Sequence, residues 1–349
     1  MTGTLKNVHW SKWKCPSNIA LVKYWGKRDF QKPMNPSLSF VLQNAFTETS
    51  VELHKVGHQK VEFYFEGFAN EFGERIEKFL DQISSKLQWV KNYNFRIHSQ
   101  NSFPHSAGIA SSASSFGTLA LCLTELDFAH SGKSINSPDF WQEASDLARM
   151  GSGSACRSVY PGFSIWGKTH LFESGSDEYA IHLADGVHPL FSGLRDAILM
   201  VDSDTKEVSS SVGHQLMENH LYQHSRIAQA HQNLNELYLA LLTGNQEKFV
   251  EVVENEALSL HAMMMTSNPS FILLKPASLE IISRIRRFRL KSQIPVCFTI
   301  DAGPNIHLLY FQENELDVKA FIERDLLDFC EKGKWIDDRI GKGPEKLGR

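Results

Sequence analysis

Four short segments combine residue types that bind anions or move protons. The first, residues 103–115, packs small residues and serines (FPHSAGIASSASS) directly before an apolar helical stretch. Small side chains let backbone N–H groups approach an anion, the start of a helix adds a favourable dipole, and serine hydroxyls donate to phosphate oxygens. The residues alone leave two interpretations open, a phosphate-binding turn and an ordinary helix with a serine-rich cap.

The second and third segments are basic. Residues 151–158 (GSGSACRS) place Arg157 among glycines and hydroxyls. A guanidinium group forms bidentate hydrogen bonds with carboxylate or phosphate, so the cluster predicts an anion-binding site. The alternative is a flexible turn. Residues 18–28 (NIALVKYWGKR) set Lys23, Lys27 and Arg28 beside two aromatic residues. Taken alone, this segment is equally compatible with a strand whose lysines reach to solvent.

The fourth segment, residues 301–305 (DAGPN), lies between two apolar strand candidates. A carboxylate at a strand end suits a general base or a charge-orienting group, although a turn-forming aspartate is common. Residues 162–169 (GFSIWGKT) match a phosphate-loop expression, but their interior alternates like a strand and no helical period follows. His220 and His224 lack a third ligand and are interpreted as a solvated helix face.

The secondary structure predicted around these segments changes along the chain from strand-rich to helix-rich. Alternating apolar residues predict a strand at 61–65, an apolar stripe predicts a helix at 76–87, and Ser137-Pro138 predicts a helix start. Further elements are expected in the second half: strands at 195–202, 296–300 and 306–311, helices across 212–265 with a break at Gly244-Asn245, helices at 276–290 and 316–331, and a loose tail from Lys332. We therefore predict an α+β chain of two lobes, residues 1–190 and 191–349, with a boundary near 186–195.

Composition excludes several classes of function. The 349 residues carry 36 Lys+Arg against 40 Asp+Glu, a net charge of -4, which argues against a generic nucleic-acid binder. A hydrophobic fraction of 42% argues against disorder. Five scattered cysteines predict reduced thiols, no signal peptide is recognisable, and no apolar run approaches the ~18 residues of a membrane span. We expect a cytoplasmic globular protein with no nucleic-acid or membrane partner.

Taken in order, the four segments and a fifth, residues 208–210 (VSS), resemble the mevalonate diphosphate decarboxylase family of the GHMP kinase superfamily. The resemblance runs from about residue 15 to residue 311. It implies a GHMP-kinase-type fold: a ribosomal-protein-S5-domain-2-like N-terminal lobe, a helix-rich α+β C-terminal lobe, and a deep cleft between them. It also implies a homodimer.

The resemblance implies a reaction as well. In the family, ATP phosphorylates the tertiary 3-hydroxyl of mevalonate 5-diphosphate, phosphate departs, and loss of carbon dioxide gives isopentenyl diphosphate. By resemblance, Asp301 would act on the 3-hydroxyl as base or orienting group, Lys23 would keep Asp301 ionised and balance phosphoryl charge, and Arg157 would grip the substrate carboxylate. Magnesium is expected to bridge phosphate oxygens with few direct protein ligands.

The other implied roles concern binding. Residues expected near the substrate are Asn18, Tyr24, Lys27, Ser152, Gly153, Ser154 and Ser210, and those expected at ATP are Ser106, Gly108, Ala110, Ser111 and Ser112. The sequence departs from the family pattern at Pro36, His105 and His214. Alternatives are a decarboxylase of mevalonate 5-phosphate, a related mevalonate kinase, and a non-catalytic relative that only binds a small molecule.

Overall fold

A computed structural model describes residues 9–55, 60–66, 68–69, 72–104, 109–202 and 210–348. Their strands form two sheets, and the chain is mixed α+β as predicted. Within the described part of the chain, no helix has both the length and the apolar character needed to cross a membrane.

The first sheet is built around two long antiparallel strands. Its order is β12-β1-β2-β5-β3-β4, with β6 paired to β2 and β7 paired to β6. The strands are β1 (Trp10–Val22), β2 (Ser37–Lys55), β3 (Val61–Phe65), β4 (Phe68–Ala69), β5 (Tyr93–Asn101), β6 (Phe163–Trp166), β7 (Ala180–His182) and β12 (Glu345–Lys346). The strand predicted at 61–65 is β3. β6 is also a strand, followed by turns rather than a helix, which confirms that residues 162–169 are no phosphate loop.

Three helices accompany this sheet: α1 (Gly73–Ile83), α2 (Ser111–Ser131) and α3 (Pro138–Gly151). α2 is the most enclosed, because it packs against β1, β2 and α3. The close approach needs Gly117, where a Cβ atom would lie 2.7 Å from the Cys15 Sγ. The predicted start of α3 is confirmed, since the Asp139 N–H donates to the Ser137 Oγ at 3.3 Å.

The second sheet is antiparallel, in the order β11-β8-β10-β9. Its strands are β8 (Leu194–Leu199), β9 (Cys297–Thr299), β10 (Ile306–Phe311) and β11 (Trp335–Arg339), and its helices are α4 (Ser210–Gln215), α5 (Gln223–Thr243), α6 (Gln246–Met265), α7 (Pro276–Ser292) and α8 (Glu315–Phe321). The predicted break after α5 is confirmed: Gly244 has a φ of 73°, and Asn245 caps α6 by accepting the Lys248 N–H at 2.9 Å.

Two expectations for the C-terminal region were wrong. The helix predicted at 316–331 ends as an α-helix at Phe321 and continues in π and 3-10 turns. The tail is not loose, because β11 joins the second sheet and β12 pairs with β1, with Lys346 opposite Trp13. Buried Asp338 of β11 also accepts the N–H groups of Gln43, Asn44 and Ala45 at 2.8–2.9 Å. The chain therefore returns to the first sheet, while the division at 186–195 stays a prediction.

The two sheets meet along the second half of β1. One apolar cluster combines Ile19 and Leu21 of β1 with Ile198 of β8 and with residues of α5 and α6. The Thr299 hydroxyl of β9 donates to the Ala20 carbonyl at 3.4 Å. The end of β1 is thereby held between the first sheet and the helices of the second.

Candidate active site

A cavity of about 350 Å³ opens where β1 ends. Its lining comes from the end of β1 and the loop after it, α1, the start of α2, the turn after α3, α4, α6 and the turn before β10. The lining residues are Asn18, Ala20, Lys23, Tyr24, Trp25, Lys27, Gln31, Arg75, Ala110, Ser111, Ser112, Gly151, Ser152, Gly153, Ser154, Arg157, His214, Leu260, Asp301 and Ala302. All four segments singled out in the sequence therefore converge on one cavity.

Most of the predicted site residues lie in this lining. They are Asn18, Lys23, Tyr24, Lys27, Ser152, Gly153, Ser154, Arg157, Asp301, Ala110, Ser111 and Ser112. Ser106 and Gly108 lie outside the described residues, and so does the position of the Ser210 side chain. Arg28, grouped with Lys23 and Lys27 in the sequence, points elsewhere and pairs with Asp177 at 2.8 Å.

Lys23 and Asp301 form an ion pair in the cavity wall. The Lys23 Nζ donates to the Asp301 Oδ1 at 2.8 Å, and the two side chains are 2% and 26% exposed. Lys23 is the first residue after β1, while Asp301 lies in the turn between β9 and β10. The His261 Nε2 on α6 is 3.1 Å from the Asp301 carbonyl oxygen. The amine is thus enclosed, and the carboxylate remains open to a ligand.

Arg157 is a buried cation held by neutral partners. Its Nε donates to the Asn18 Oδ1 at 3.3 Å, and its Nη1 donates to the Ser37 hydroxyl at 2.5 Å. Within the described residues, no acidic side chain lies at ion-pair distance from this guanidinium. Burial lowers the pKa of Arg157, and the negative charge of Asp301 opposes that effect. An anionic ligand would supply the missing partner.

Aromatic rings form another wall of the cavity. The ring of His214 lies 4.3 Å from that of Tyr24 and 4.7 Å from that of Trp25, measured between centroids. The Gly26 N–H donates to the His214 Nδ1 at 3.0 Å. Burial, with help from Lys27 and Arg157, lowers the pKa of His214 to about 3. The imidazole is therefore neutral near pH 7, with its proton on Nε2.

The start of α2 forms another part of the cavity lining. Ala110 has a φ of 47°, in the left-handed region, and directly precedes the first turn of the helix. The Ser112 and Ser152 hydroxyls lie 3.3 Å apart, which joins this turn to the segment after α3. Ser114 instead faces the interior, 2.7 Å from the Thr47 hydroxyl. Only part of the serine-rich segment therefore lines the cavity.

Sequence reasoning missed two functional candidates. Arg75 of α1 lines the cavity, with its guanidinium 4.8 Å from the Phe72 ring centroid, and burial lowers its pKa. In the sequence it is one more polar residue on an amphipathic helix, so no local signal marked it. His214 was noted as a departure without a role. The interpretation of His220 as solvated was wrong, because it is buried and contacts the Met263 carbonyl oxygen at 3.0 Å.

The charges of the lining favour anions over a protein-bound metal. Its lysines and arginines are Lys23, Lys27, Arg75 and Arg157, and among the described residues that line it Asp301 is the one carboxylate. Among the residues that the structure describes, no group of three or more His, Cys, Asp or Glu side chains is arranged to hold a metal ion. Magnesium fits here only in the form in which it accompanies phosphates, which supply most of its oxygen ligands.

The two-sheet α+β architecture agrees with the GHMP-kinase-type fold expected from the sequence, and solved structures of that type cover nearly the whole chain. Residues 15–180 match the model of the diphosphomevalonate decarboxylase-like N-terminal domain, and residues 197–340 match that of the mevalonate 5-diphosphate decarboxylase C-terminal domain. The chain belongs to the diphosphomevalonate decarboxylase family, and it is an enzyme.

Comparisons with individual relatives support the assignment to this family. The diphosphomevalonate decarboxylase of Debaryomyces hansenii is 31% identical over 332 residues, which cover 90% of this chain and 83% of that protein. The solved mevalonate diphosphate decarboxylase of Staphylococcus aureus is 29% identical, with a TM-score of 0.85 over 99% of this chain and 100% of that one. A structure of a protein called MDDEF in complex with MVAPP, AMPPCP and magnesium is also 29% identical, with a TM-score of 0.84 over 98% and 99%.

Proposed function

We propose that the chain catalyses the ATP-dependent decarboxylation of mevalonate 5-diphosphate to isopentenyl diphosphate, releasing ADP, phosphate and carbon dioxide. The observation that carries the proposal is the convergence of the Lys23–Asp301 pair and the buried Arg157 guanidinium on one basic cavity. The relatives named above support it. So does the MDDEF complex, which holds an ATP analogue, magnesium and MVAPP together.

Asp301 acts on the 3-hydroxyl of the substrate. Its carboxylate is partly exposed to the cavity and is oriented by the Lys23 amine at 2.8 Å. It accepts the hydroxyl hydrogen bond and takes the proton as the oxygen attacks the terminal phosphorus of ATP. Lys23 stabilises the negative charge that the transferring phosphoryl group carries, and enclosure in the wall strengthens that interaction. The phosphorylated oxygen is then a good leaving group.

Arg157 binds the substrate carboxylate. Its guanidinium is fixed by Asn18 and Ser37 before any ligand arrives, so little orientation is lost on binding. Once phosphate departs from C3 of the substrate, the C1–C2 bond breaks and the carboxylate held there leaves as carbon dioxide. The electron pair of the C1–C2 bond then forms the new double bond between C2 and C3, so no protein group has to donate electrons.

The diphosphate of the substrate is bound by Tyr24, Lys27, Ser152, Ser154 and the backbone of Gly153. A Cβ atom at Gly153 would lie 2.7 Å from the Tyr24 hydroxyl, so glycine is needed to keep this tyrosine in the wall. Burial raises the pKa of Tyr24, which therefore remains a hydrogen-bond donor at neutral pH. His214 adds a neutral Nε2–H donor to the same wall. Asn18 and Ser210 complete the expected substrate neighbours.

ATP binds at the start of α2. Backbone N–H groups after Ala110 and the hydroxyls of Ser111 and Ser112 donate to its phosphates, and the helix dipole favours the negative charge. Ser106 and Gly108 stay predicted members of this loop. Magnesium bound to ATP would neutralise part of the phosphate charge, with Asp301 as the carboxylate in reach. Arg75 adds a cation near the same helix start.

The test is a product balance on the purified protein. With mevalonate 5-diphosphate and magnesium-ATP together, ADP, phosphate and carbon dioxide should appear in equal amounts, and omission of either substrate should abolish all three. ADP without phosphate or carbon dioxide would instead identify a kinase. A higher kcat/KM on mevalonate 5-phosphate would identify the monophosphate decarboxylase. A cytoplasmic homodimer is also proposed, and its subunit number is checked by light scattering.

A further inference from the structure

The backbone of Lys23 is held by side chains rather than by a strand. β1 ends at Val22, so the N–H and C=O groups of Lys23 have no sheet partner. The N–H donates to the Glu256 Oε2 at 2.8 Å. The carbonyl accepts from the Asn35 Nδ2 at 2.9 Å and from the Arg226 Nη2 at 3.4 Å. Each backbone group therefore contacts a side chain far away in the sequence, since Glu256 and Arg226 lie 233 and 203 positions from Lys23.

Glu256 and Arg226 form a buried ion pair. Their side chains are 0% and 1% exposed, and Arg226 donates to the two Glu256 oxygens at 2.9 and 2.5 Å. The Asn233 Nδ2 donates to the Glu256 Oε1 at 2.6 Å. Burying two charges costs several kcal/mol, and apolar residues often stabilise such a position as well or better. A contribution to the stability of the fold therefore does not by itself explain why a charged pair occupies this buried position.

One helix contacts both members of the Lys23–Asp301 pair. Glu256 and His261 lie on α6; the former binds the Lys23 N–H at 2.8 Å, and the latter lies 3.1 Å from the Asp301 carbonyl oxygen. Lys23 follows the first sheet, whereas Asp301 belongs to a turn of the second. α6 thus contacts two groups that follow strands of different sheets. Neither Glu256 nor Arg226 lines the cavity.

We propose that Glu256 and Arg226 are positioning residues, which act through the Lys23 backbone to hold the Lys23 amine against Asp301. The inference rests on the proposed function for its kinetic consequence, because it assigns these residues to the alignment of the phosphoryl-transfer step. Substrate binding depends mainly on the residues that line the cavity, and neither Glu256 nor Arg226 is among them. Loss of the pair should therefore lower kcat much more than it raises KM.

The test replaces Glu256 with glutamine and compares it with a control on the same helix. Glu254 is also buried and is paired with Arg286 and Arg289 at 3.1 and 2.5 Å, but it faces α7 and does not contact Lys23. Glu256→Gln should lower kcat about 10- to 100-fold, since small misplacements of reacting groups cost up to about 100-fold. Its KM for mevalonate 5-diphosphate should stay within about twofold, and Glu254→Gln should keep wild-type kcat.

A second variant guards against misfolding. Because Glu256→Gln leaves Arg226 charged and buried, the double variant Arg226→Gln/Glu256→Gln removes both charges while keeping a donor and an acceptor. It should show the same selective loss of kcat with a native circular dichroism spectrum. Wild-type kcat in both variants, or an equal loss in Glu254→Gln, would overturn the positioning role.

A readout without turnover separates this inference from the proposed function. Lys23 is almost fully enclosed, so acetic anhydride should acetylate its amine slowly in the wild type, as followed by mass spectrometry. In Glu256→Gln the loosened amine should react at least several-fold faster, and in Glu254→Gln it should not. Unchanged labelling would contradict the positioning role even if the wild type proved inactive on mevalonate 5-diphosphate, a result that would overturn only the proposed function.

Discussion

Replacement of Arg157 should affect the stability of the protein and its catalytic activity in opposite directions. Its buried guanidinium donates hydrogen bonds to the Asn18 Oδ1 and the Ser37 hydroxyl and has no carboxylate at ion-pair distance among the described residues. Enclosure of an arginine charge costs several kcal/mol. The two hydrogen bonds that the charged guanidinium donates offset about 1.5–3 kcal/mol each. Replacement by methionine, which preserves length and removes the charge, should leave the free energy of unfolding unchanged or raise it by about 1–2 kcal/mol.

The same change should severely impair catalysis. Loss of one partner from a desolvated, hydrogen-bonded charge pair costs about 2–5 kcal/mol. At about 1.4 kcal/mol for each factor of ten, kcat/KM should fall roughly 30-fold to several thousand-fold. Arg157→Lys should recover little of the lost kcat/KM, because an ammonium group cannot reproduce the bidentate geometry of a guanidinium. The assay is steady-state ADP release with mevalonate 5-diphosphate varied at saturating magnesium-ATP, alongside urea unfolding of each variant.

A paired arginine provides the comparison. Arg149 is equally buried, but its guanidinium binds Asp146 at 2.6 Å and Glu178 at 3.1 Å. Arg149→Met should therefore lower the free energy of unfolding by about 3 kcal/mol or more, the opposite sign to Arg157→Met. A loss above about 3 kcal/mol in Arg157→Met, or a kcat/KM within tenfold of wild type, would refute the assignment of Arg157 to the substrate carboxylate.

Two further residues give separate predictions. Because the pKa of His214 is about 3 in the folded protein and near 6.5 in an unfolded chain, only the unfolded state gains its proton as pH falls from 6.5 to 4. Wild type should lose up to about 1.4 kcal/mol of unfolding free energy per pH unit relative to His214→Asn, as measured by urea titration; parallel curves would contradict a neutral imidazole. Ser112→Ala should raise the KM for ATP about tenfold and leave that for mevalonate 5-diphosphate unchanged, a split that initial rates with each substrate varied will reveal.

The segments proposed to bind anions could be found in the sequence because their chemistry is local. Glycines and hydroxyls within eight residues mark the turn that carries Arg157, and small residues before an apolar run mark the start of α2. The same holds for β3, whose alternation is complete within five residues. Such features depend on residue type and spacing, which a single sequence displays directly.

Other parts of the site depend on contacts between distant elements. Arg75 lies on an amphipathic helix whose polar face gives no sign of which residue meets the cavity. Glu256 and Arg226 come from two helices that resemble ordinary charged helices until packing buries both side chains. The tail strand β11 was missed because charged residues interrupt its short apolar pattern (WIDDR), and its buried Asp338 is explained only by the backbone N–H groups it accepts.

The Lys23–Asp301 pair is tested most directly by the turnover of Asp301→Asn. Asparagine keeps the size of the side chain but cannot take the proton of the 3-hydroxyl, so kcat should fall about 100-fold or more. Binding of mevalonate 5-diphosphate, measured by calorimetry, should persist, because Arg157 and the diphosphate-binding residues are untouched. Turnover above about one tenth of the wild-type rate, with equal ADP and carbon dioxide release, would contradict Asp301 as the base.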